Sequence, residues 1–181
     1  MKAWGGFTLV ELMVTLAVLA IVLVIGVPGL QALVNGNRLA ATANEAIASL
    51  QTARMEAIRR NRRVVVCTST KTNAGDGATC ATAGIDGWIT FVDSDRSNDF
   101  SAGDTLLRNS LLDGGMAVAG PGAVVFRADG LARDASGDLL DDSMRIVIDS
   151  DHPAQNVRCV DIRTSGAVAV RTPASHGGSC G

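Results

Sequence analysis

Phe7-Thr-Leu-Val-Glu11-Leu-Met-Val-Thr-Leu-Ala-Val-Leu-Ala-Ile-Val-Leu-Val-Ile-Gly-Val27 decides the architecture of this chain, and Glu11 is its one formal charge. A helix of roughly 20 residues, rising about 1.5 Å per residue, matches the roughly 30 Å hydrocarbon core of a bilayer. The stretch predicts a single membrane span near the start of the chain. Lys2 is the one charge ahead of it, so positive-inside logic keeps the head of the chain in the cytoplasm and places the body outside. A secretory signal peptide is cut behind its apolar run, at small residues. Gly26-Val-Pro28-Gly29 offers no A-x-A-like site there. The small pair Gly5-Gly6 instead precedes the run, and a cut at that point leaves the whole apolar helix on the mature protein.

Glu11 is the anomaly of the span. A carboxylate in an apolar segment is expensive unless paired, and such residues mark function by default. After a cut between Gly6 and Phe7, the new α-amine stands four residues upstream of Glu11. Pairing within one chain, pairing between neighbours, and a Glu snorkelling to the headgroups all remain open on charge alone.

Gly6-Phe7-Thr8-Leu9-Val10-Glu11-Leu12-Met13 resembles the class III signal of type IV prepilins and type II secretion pseudopilins. The resemblance implies cleavage after Gly6 by a membrane prepilin peptidase and N-methylation of Phe7. It makes Glu11 the fifth mature residue, which that family uses to register subunits. Pro28 falls where the family often has a helix-kinking proline. The leader is then 1–6 and the transmembrane, filament-core helix 7–28.

Past Pro28-Gly29 a second helical pattern runs to about residue 61. Leu30, Leu33, Val34, Ala43, Ile47, Leu50, Ala57 and Ile58 recur at helical spacing, opposite Asn37, Arg38, Asn44, Glu45, Gln51, Arg54 and Glu56. This predicts an amphipathic continuation over 29–61, its stripe packed on a sheet. Pro28 removes a backbone donor, so a kink or local melting is expected near Ile25–Gly29. Arg59, Arg60, Arg62 and Arg63 cluster where the helix should end, where its dipole favours cations.

From 62 to 181 the pattern is β-rich. Val64–Thr68, Trp88–Val92, Thr105–Leu112, Ala123–Phe126, Arg145–Asp149, Val157–Ile162 and Ala167–Thr172 read as strands between Gly, Asp, Ser and Asn clusters. The expected fold class is α+β, one long helix on an antiparallel sheet. Asp86-Gly-Trp88-Ile-Thr-Phe-Val-Asp93, an acidic loop and Gly103-Asp-Thr-Leu-Leu-Arg108 are similar to the FimT/FimU minor pilin and H-type (GspH) pseudopilin branch of the type IV pilin-like proteins.

Cys67, Cys80, Cys159 and Cys180 all follow the span, an even count that suits an oxidising compartment. Local bridges, Cys67–Cys80 and Cys159–Cys180, would pin a Gly/Thr-rich loop and an apolar-poor tail. A Cys67–Cys159 bridge would join two strands and leave the other two cysteines on mobile segments. No C-x-x-C pair occurs, and His152 and His176 lack zinc-ligand spacing. Asp93, Asp95, Asn98, Asp99 and Asp104 make an acidic loop that lacks the calcium loop's Gly at position six and Glu at position twelve, which favours a solvated hairpin loop. No metal or cofactor is expected.

Net charge is −2 and Tyr is absent, leaving Trp4, Trp88 and four Phe as stacking platforms. DNA-binding relatives of FimT type carry a G-R-x-R motif. The matching stretch here is Gly166-Ala-Val-Ala169, with both arginine positions Ala and only Arg158, Arg163 and Arg171 nearby, which argues against DNA. His152, in Asp149-Ser-Asp-His-Pro153, has no G-x-S-x-G, carboxylate pair or phosphate loop to support catalysis. The resemblance implies a non-enzymatic minor pilin, or alternatively a minor pseudopilin of type II secretion. Its partners would be other pilins or pseudopilins, the prepilin peptidase, the inner-membrane assembly platform and, before assembly, lipid. Its head would be periplasmic and its filament position the tip.

Overall fold

The computed structural model describes residues 6–151, 155–174 and 177–180. Lys2, Trp4, Gly5, His152 and His176 lie outside the described residues. The long helix, α1, runs from Leu9 to Arg60, 52 residues. Thr8 caps it from an extended conformation, its hydroxyl accepting the Glu11 N–H at 3.2 Å. Asn61 ends it in the left-handed region (φ 52°), which Asn tolerates better than most residues, and returns its N–H to the Ala57 and Ile58 carbonyls. In the last turn, Arg59 and Arg60 both clamp Glu56. Their hydrogen bonds, Arg59's first, hold that carboxyl down at about 2.

Pro28 sits inside α1 without interrupting it, so the melting expected near Ile25–Gly29 is not found. Proline deletes one bond of the ladder, while the cooperative turns on either side still bond to one another. The buried stripe also differs from the expected one. It begins at Leu39 and runs Ala43, Ala46, Ser49, Leu50, Ala53, Ala57, a spacing of three and four. Leu30, Leu33, Val34 and Ile58 are exposed. Four of the seven buried positions are alanine, so the helix backbone approaches the sheet closely, with Leu39 and Leu50 filling the remaining space.

Among the described residues nine strands follow: β1 (Val64–Ser69), β2 (Gly87–Val92), β3 (Thr105–Leu111), β4 (Met116–Ala119), β5 (Ala123–Phe126), β6 (Ala132–Arg133), β7 (Asp142–Ile148), β8 (Val157–Ile162) and β9 (Val168–Arg171). They form two antiparallel sheets where the sequence pattern suggests one, ordered β3-β2-β1-β5-β6 and β4-β7-β8-β9. The helix packs against both, on β1, β2 and β5 of the first and β7, β8 and β9 of the second. β4 and β6 escape the sequence pattern because they are short and rich in small residues. β7 starts earlier than expected because Asp142 and Ser143 are polar yet pair with Ile162 and Asp161.

Alternation divides the first sheet into two faces. Val64, Val66, Trp88, Val92, Val124 and Phe126 face the helix and join the main core. Val65, Cys67, Ile89, Phe91 and Val125 point away and are roofed by Ala78 and Phe100. Phe100 meets Phe91 edge-on, ring centres 5.3 Å apart. β1 and β2 are therefore buried on both faces, which explains their near-continuous apolar runs.

Candidate functional site

The N-terminal half of α1 is the first candidate. Phe7 is 83% exposed, and every described residue from Gly6 to Val27 is exposed. The segment is long and apolar enough to cross a membrane, and none of its apolar window is buried against the head. Glu11 sits in the first helical turn, where the positive end of the helix dipole favours a carboxylate. Thr8-Leu-Val-Glu11 is also a capping-box sequence, of which the Thr8 half is formed. That signal was available in the residues and gives Glu11 a local reason to stand where it does. Gly6, Phe7, Thr8 and Glu11 thus come together at an uncovered helix start, while Pro28 lies well inside the helix.

A polar relay that composition does not reveal fixes the other half of α1 to the head. The Trp88 indole N–H donates to Ser49 Oγ at 3.0 Å, deep in the core. Ser49 Oγ lies 3.5 Å from Ser110 Oγ, which donates to Glu45 Oε1 at 2.6 Å. Arg108 closes a two-pronged pair on the same carboxylate at 2.9 and 2.7 Å. Burial would raise the Glu45 carboxyl, but the hydrogen bonds from Ser110 and Arg108 and the Arg108 charge bring it below its ordinary value. The signal for this relay was Ser49 itself, a polar residue on the apolar stripe.

The cysteines pair locally, Cys67 with Cys80 and Cys159 with Cys180, and none of the four is free. The first bridge ties β1 to the loop that roofs the outer face of its sheet. The second holds the C-terminal tail on β8, helped by side chains that the sequence does not single out. Ser143 donates to the Cys180 carbonyl at 3.1 Å, Arg171 donates to the same carbonyl, and Asn156 Oδ1 accepts the Gly177 N–H at 2.8 Å.

The arginine cluster splits. Arg59 and Arg60 stay on the helix, whereas Arg63 turns inward and meets the buried Asp93 at 3.0 Å. Burial pushes the Asp93 carboxyl up, opposed by the Asn98 N–H and by Arg63. Asp95, in contrast, is held at about 2, first by the Ser97 and Ser101 hydroxyls and the Ser97 N–H. Near the C-terminus, Gly166 takes a left-handed turn (φ 75°) whose carbonyl accepts from Arg54 of the helix at 3.2 Å. Arg163 pairs with Asp141 at 3.0 Å and Arg171 with Asp161 at 3.2 Å, so both are drawn onto carboxylates of their own sheet.

Residues 42–166 match the family described as Type II transport protein GspH, which is most of the chain and nearly the whole head. The chain belongs to the GspH family. Residues 5–27 of this GspH-family member also match the prokaryotic N-terminal methylation motif, which implies peptidase cleavage. Its fold is similar to the type IV minor pilin FimU of Pseudomonas aeruginosa, with 18% identity and a TM-score of 0.54, covering 77% of this chain and 95% of that one. It is likewise similar to the minor pseudopilin EpsH of the Vibrio cholerae Type 2 Secretion System, with 12% identity and a TM-score of 0.52, covering 76% and 99%. No curated protein sequence matches the chain significantly.

Proposed function

We propose that this GspH-family chain is a minor pilin of a type IV pilus, a non-catalytic subunit stored in the inner membrane and then built into a filament with other minor pilins. The observation that carries the reading is the exposed apolar half of α1, uncovered by the head, joined to a closed, disulfide-bonded head. Such a surface needs lipid or other apolar helices to cover it. In the membrane the cover is lipid; in a filament it is the same half-helix of neighbouring subunits. Cleavage after Gly6 frees the Phe7 amine beside Glu11, and Glu11 sets the register of the incoming subunit. Pro28 is the point at which the helix bends to fit that bundle. With its own loops and paired strands, the head suits a filament end, where the subunit initiates or caps assembly.

A minor pseudopilin of type II secretion is the second reading, favoured by the description of the family that matches. It uses the same chemistry in a periplasmic filament. The experiment is fractionation of cells carrying the native chain or Glu11→Ala. Recovery with sheared surface filaments supports the pilus, and co-isolation with a periplasmic secretion complex supports the pseudopilus. Glu11→Ala should insert normally yet lose at least about tenfold in filament recovery, the factor that about 1.4 kcal/mol implies. Normal incorporation of the variant would reduce Glu11 to a helix-capping residue.

A further inference from the structure

We propose that the β2–β3 loop, Asp93 to Asp104, is a calcium-binding loop that takes one Ca2+ from the medium around the head. Its oxygen-bearing residues stand at positions one, three, five, seven, nine and twelve: Asp93, Asp95, Ser97, Asp99, Ser101 and Asp104. These are the positions from which a twelve-residue calcium loop draws its ligands, position seven through its backbone carbonyl. The sequence alone weighs against this, because position six lacks Gly and position twelve lacks Glu.

The geometry answers both objections. Position six of a calcium loop needs Gly for a sharp turn, and Asn98 makes such a turn here with φ at 66°. Its N–H donates to Asp93 Oδ2 at 3.3 Å, folding the loop back on its first residue. At position twelve, Asp104 returns to the start of the loop. One carboxylate oxygen from each of Asp93, Asp95 and Asp104 lies within 4.8 Å of the others. Two oxygens bound to one Ca2+ at 2.3–2.6 Å stand no more than about 5 Å apart, so the three carboxylates are already within the span of a single ion.

An independent feature points to a ligand. The Asp93 side chain is completely buried. Its Oδ2 is engaged by Arg63 at 3.0 Å and by the Asn98 N–H. Its Oδ1 is also buried, and no donor among the described residues reaches it. A buried carboxylate oxygen without a partner is costly, and the hard-cation chemistry of the converging oxygens supplies the partner it lacks. The remaining candidate ligands are close to one another: Ser97 Oγ donates to the Asp99 carbonyl at 2.8 Å, and Ser101 Oγ lies 3.0 Å from Asp95 Oδ2 and 3.1 Å from Asp104 Oδ2. A bound Ca2+ takes these oxygens in place of their mutual hydrogen bonds. It would lock the loop that carries Phe100 onto the outer face of the first sheet, next to the end of α1.

The test is calcium titration of the full chain in detergent micelles, by calorimetry and by thermal midpoint, with Mg2+ in parallel. One Ca2+ per chain is expected, with Kd on the order of 10⁻⁴ M, and no comparable uptake of Mg2+. Asp95→Asn should weaken binding about tenfold and shrink the calcium-induced rise in midpoint, since affinity follows ligand charge. Loss in such a variant can also come from a disordered loop, so Ser97→Asp is the second arm. A carboxylate added at position five should tighten Ca2+ about tenfold and enlarge the rise. Absence of binding at about 10 mM Ca2+, well above the weak extracellular range, would overturn the proposal. So would equal uptake of Mg2+, unchanged affinity in Asp95→Asn, or a folded Ser97→Asp chain that binds no tighter.

Discussion

The two halves of α1 are one continuous helix with opposite fates. Leu50 is completely buried, whereas Leu19, an identical side chain on the same helix, is 53% exposed. From Leu39 to Ala57 the stripe is small, with a Ser and a nearby Glu that hydrogen-bond into the head. From Leu9 to Val34 the helix is large-chained and apolar around most of its circumference, and the head covers almost none of it. The more hydrophobic half is therefore the less buried one. Hydrophobicity alone does not say where a helix packs within its own chain; side-chain size matched to a facing sheet does. The excess apolar surface of the first half is a statement about partners outside the chain.

That contrast can be broken by substitution. Leu50→Ala should destabilise the head by about 3 kcal/mol, from lost transfer energy plus a residual cavity. Leu19→Ala should change head stability by no more than about 0.5 kcal/mol, as an exposed position does. Urea titration of the full chain in micelles, followed by Trp fluorescence, measures both, and comparable losses would erase the distinction between the halves. Reduction of the bridges comes next. Closing loops with separations of 13 and 21 residues stabilises by about 3 kcal/mol each in the chain-entropy model, so a reductant should lower the head's thermal midpoint while leaving membrane insertion unchanged.

The smallest effect sharpens the comparison at the Glu45 relay. The folded-state value of Glu45 is lowered, so its contribution is present above the ordinary value of 4.5 and is lost as pH falls through the folded one. The pair is partly exposed, so the contribution is screened to below about 1 kcal/mol. Acid titration of native chain against Glu45→Gln should show this component in the native chain alone. Equal acid profiles would remove Glu45 from the links between helix and sheet.

Much of this was legible beforehand. The span, the β-rich head, seven of the strands and the local cysteine pairing follow from apolar runs, turn residues and loop lengths, because those patterns act over short distances. The division into two sheets was not legible. Met116–Ala119 acquires strand character only by pairing with Ile148–Arg145, distant in the sequence, and the two-residue Ala132–Arg133 only by folding back on Val125–Phe126. The periodicity finds Ala43, Leu50 and Ala57 of the helix stripe but extends it too far, to the exposed Leu30, Leu33, Val34 and Ile58, because large apolar residues carry the pattern; it passes over Leu39, Ala46 and Ala53, where the interface is built on small side chains. Residue identity argues against the acidic loop, which lacks both the Gly and the Glu of a calcium loop, yet Asn98 supplies the left-handed backbone conformation of the Gly, which residue identity alone does not show.

A cut after Gly6 would leave the exposed half of α1 on the mature protein, with its new N-terminus at Phe7. Intact mass of the chain extracted from cells with an active prepilin peptidase tests it most directly. The mature chain should lack residues 1–6 and carry one added methyl group, and uncut chain should accumulate when Gly6 is replaced by a bulky residue. A mass corresponding to cleavage behind the apolar run, near Gly26–Gly29, or an uncut chain as abundant with the peptidase as without it, would rule out processing at Gly6.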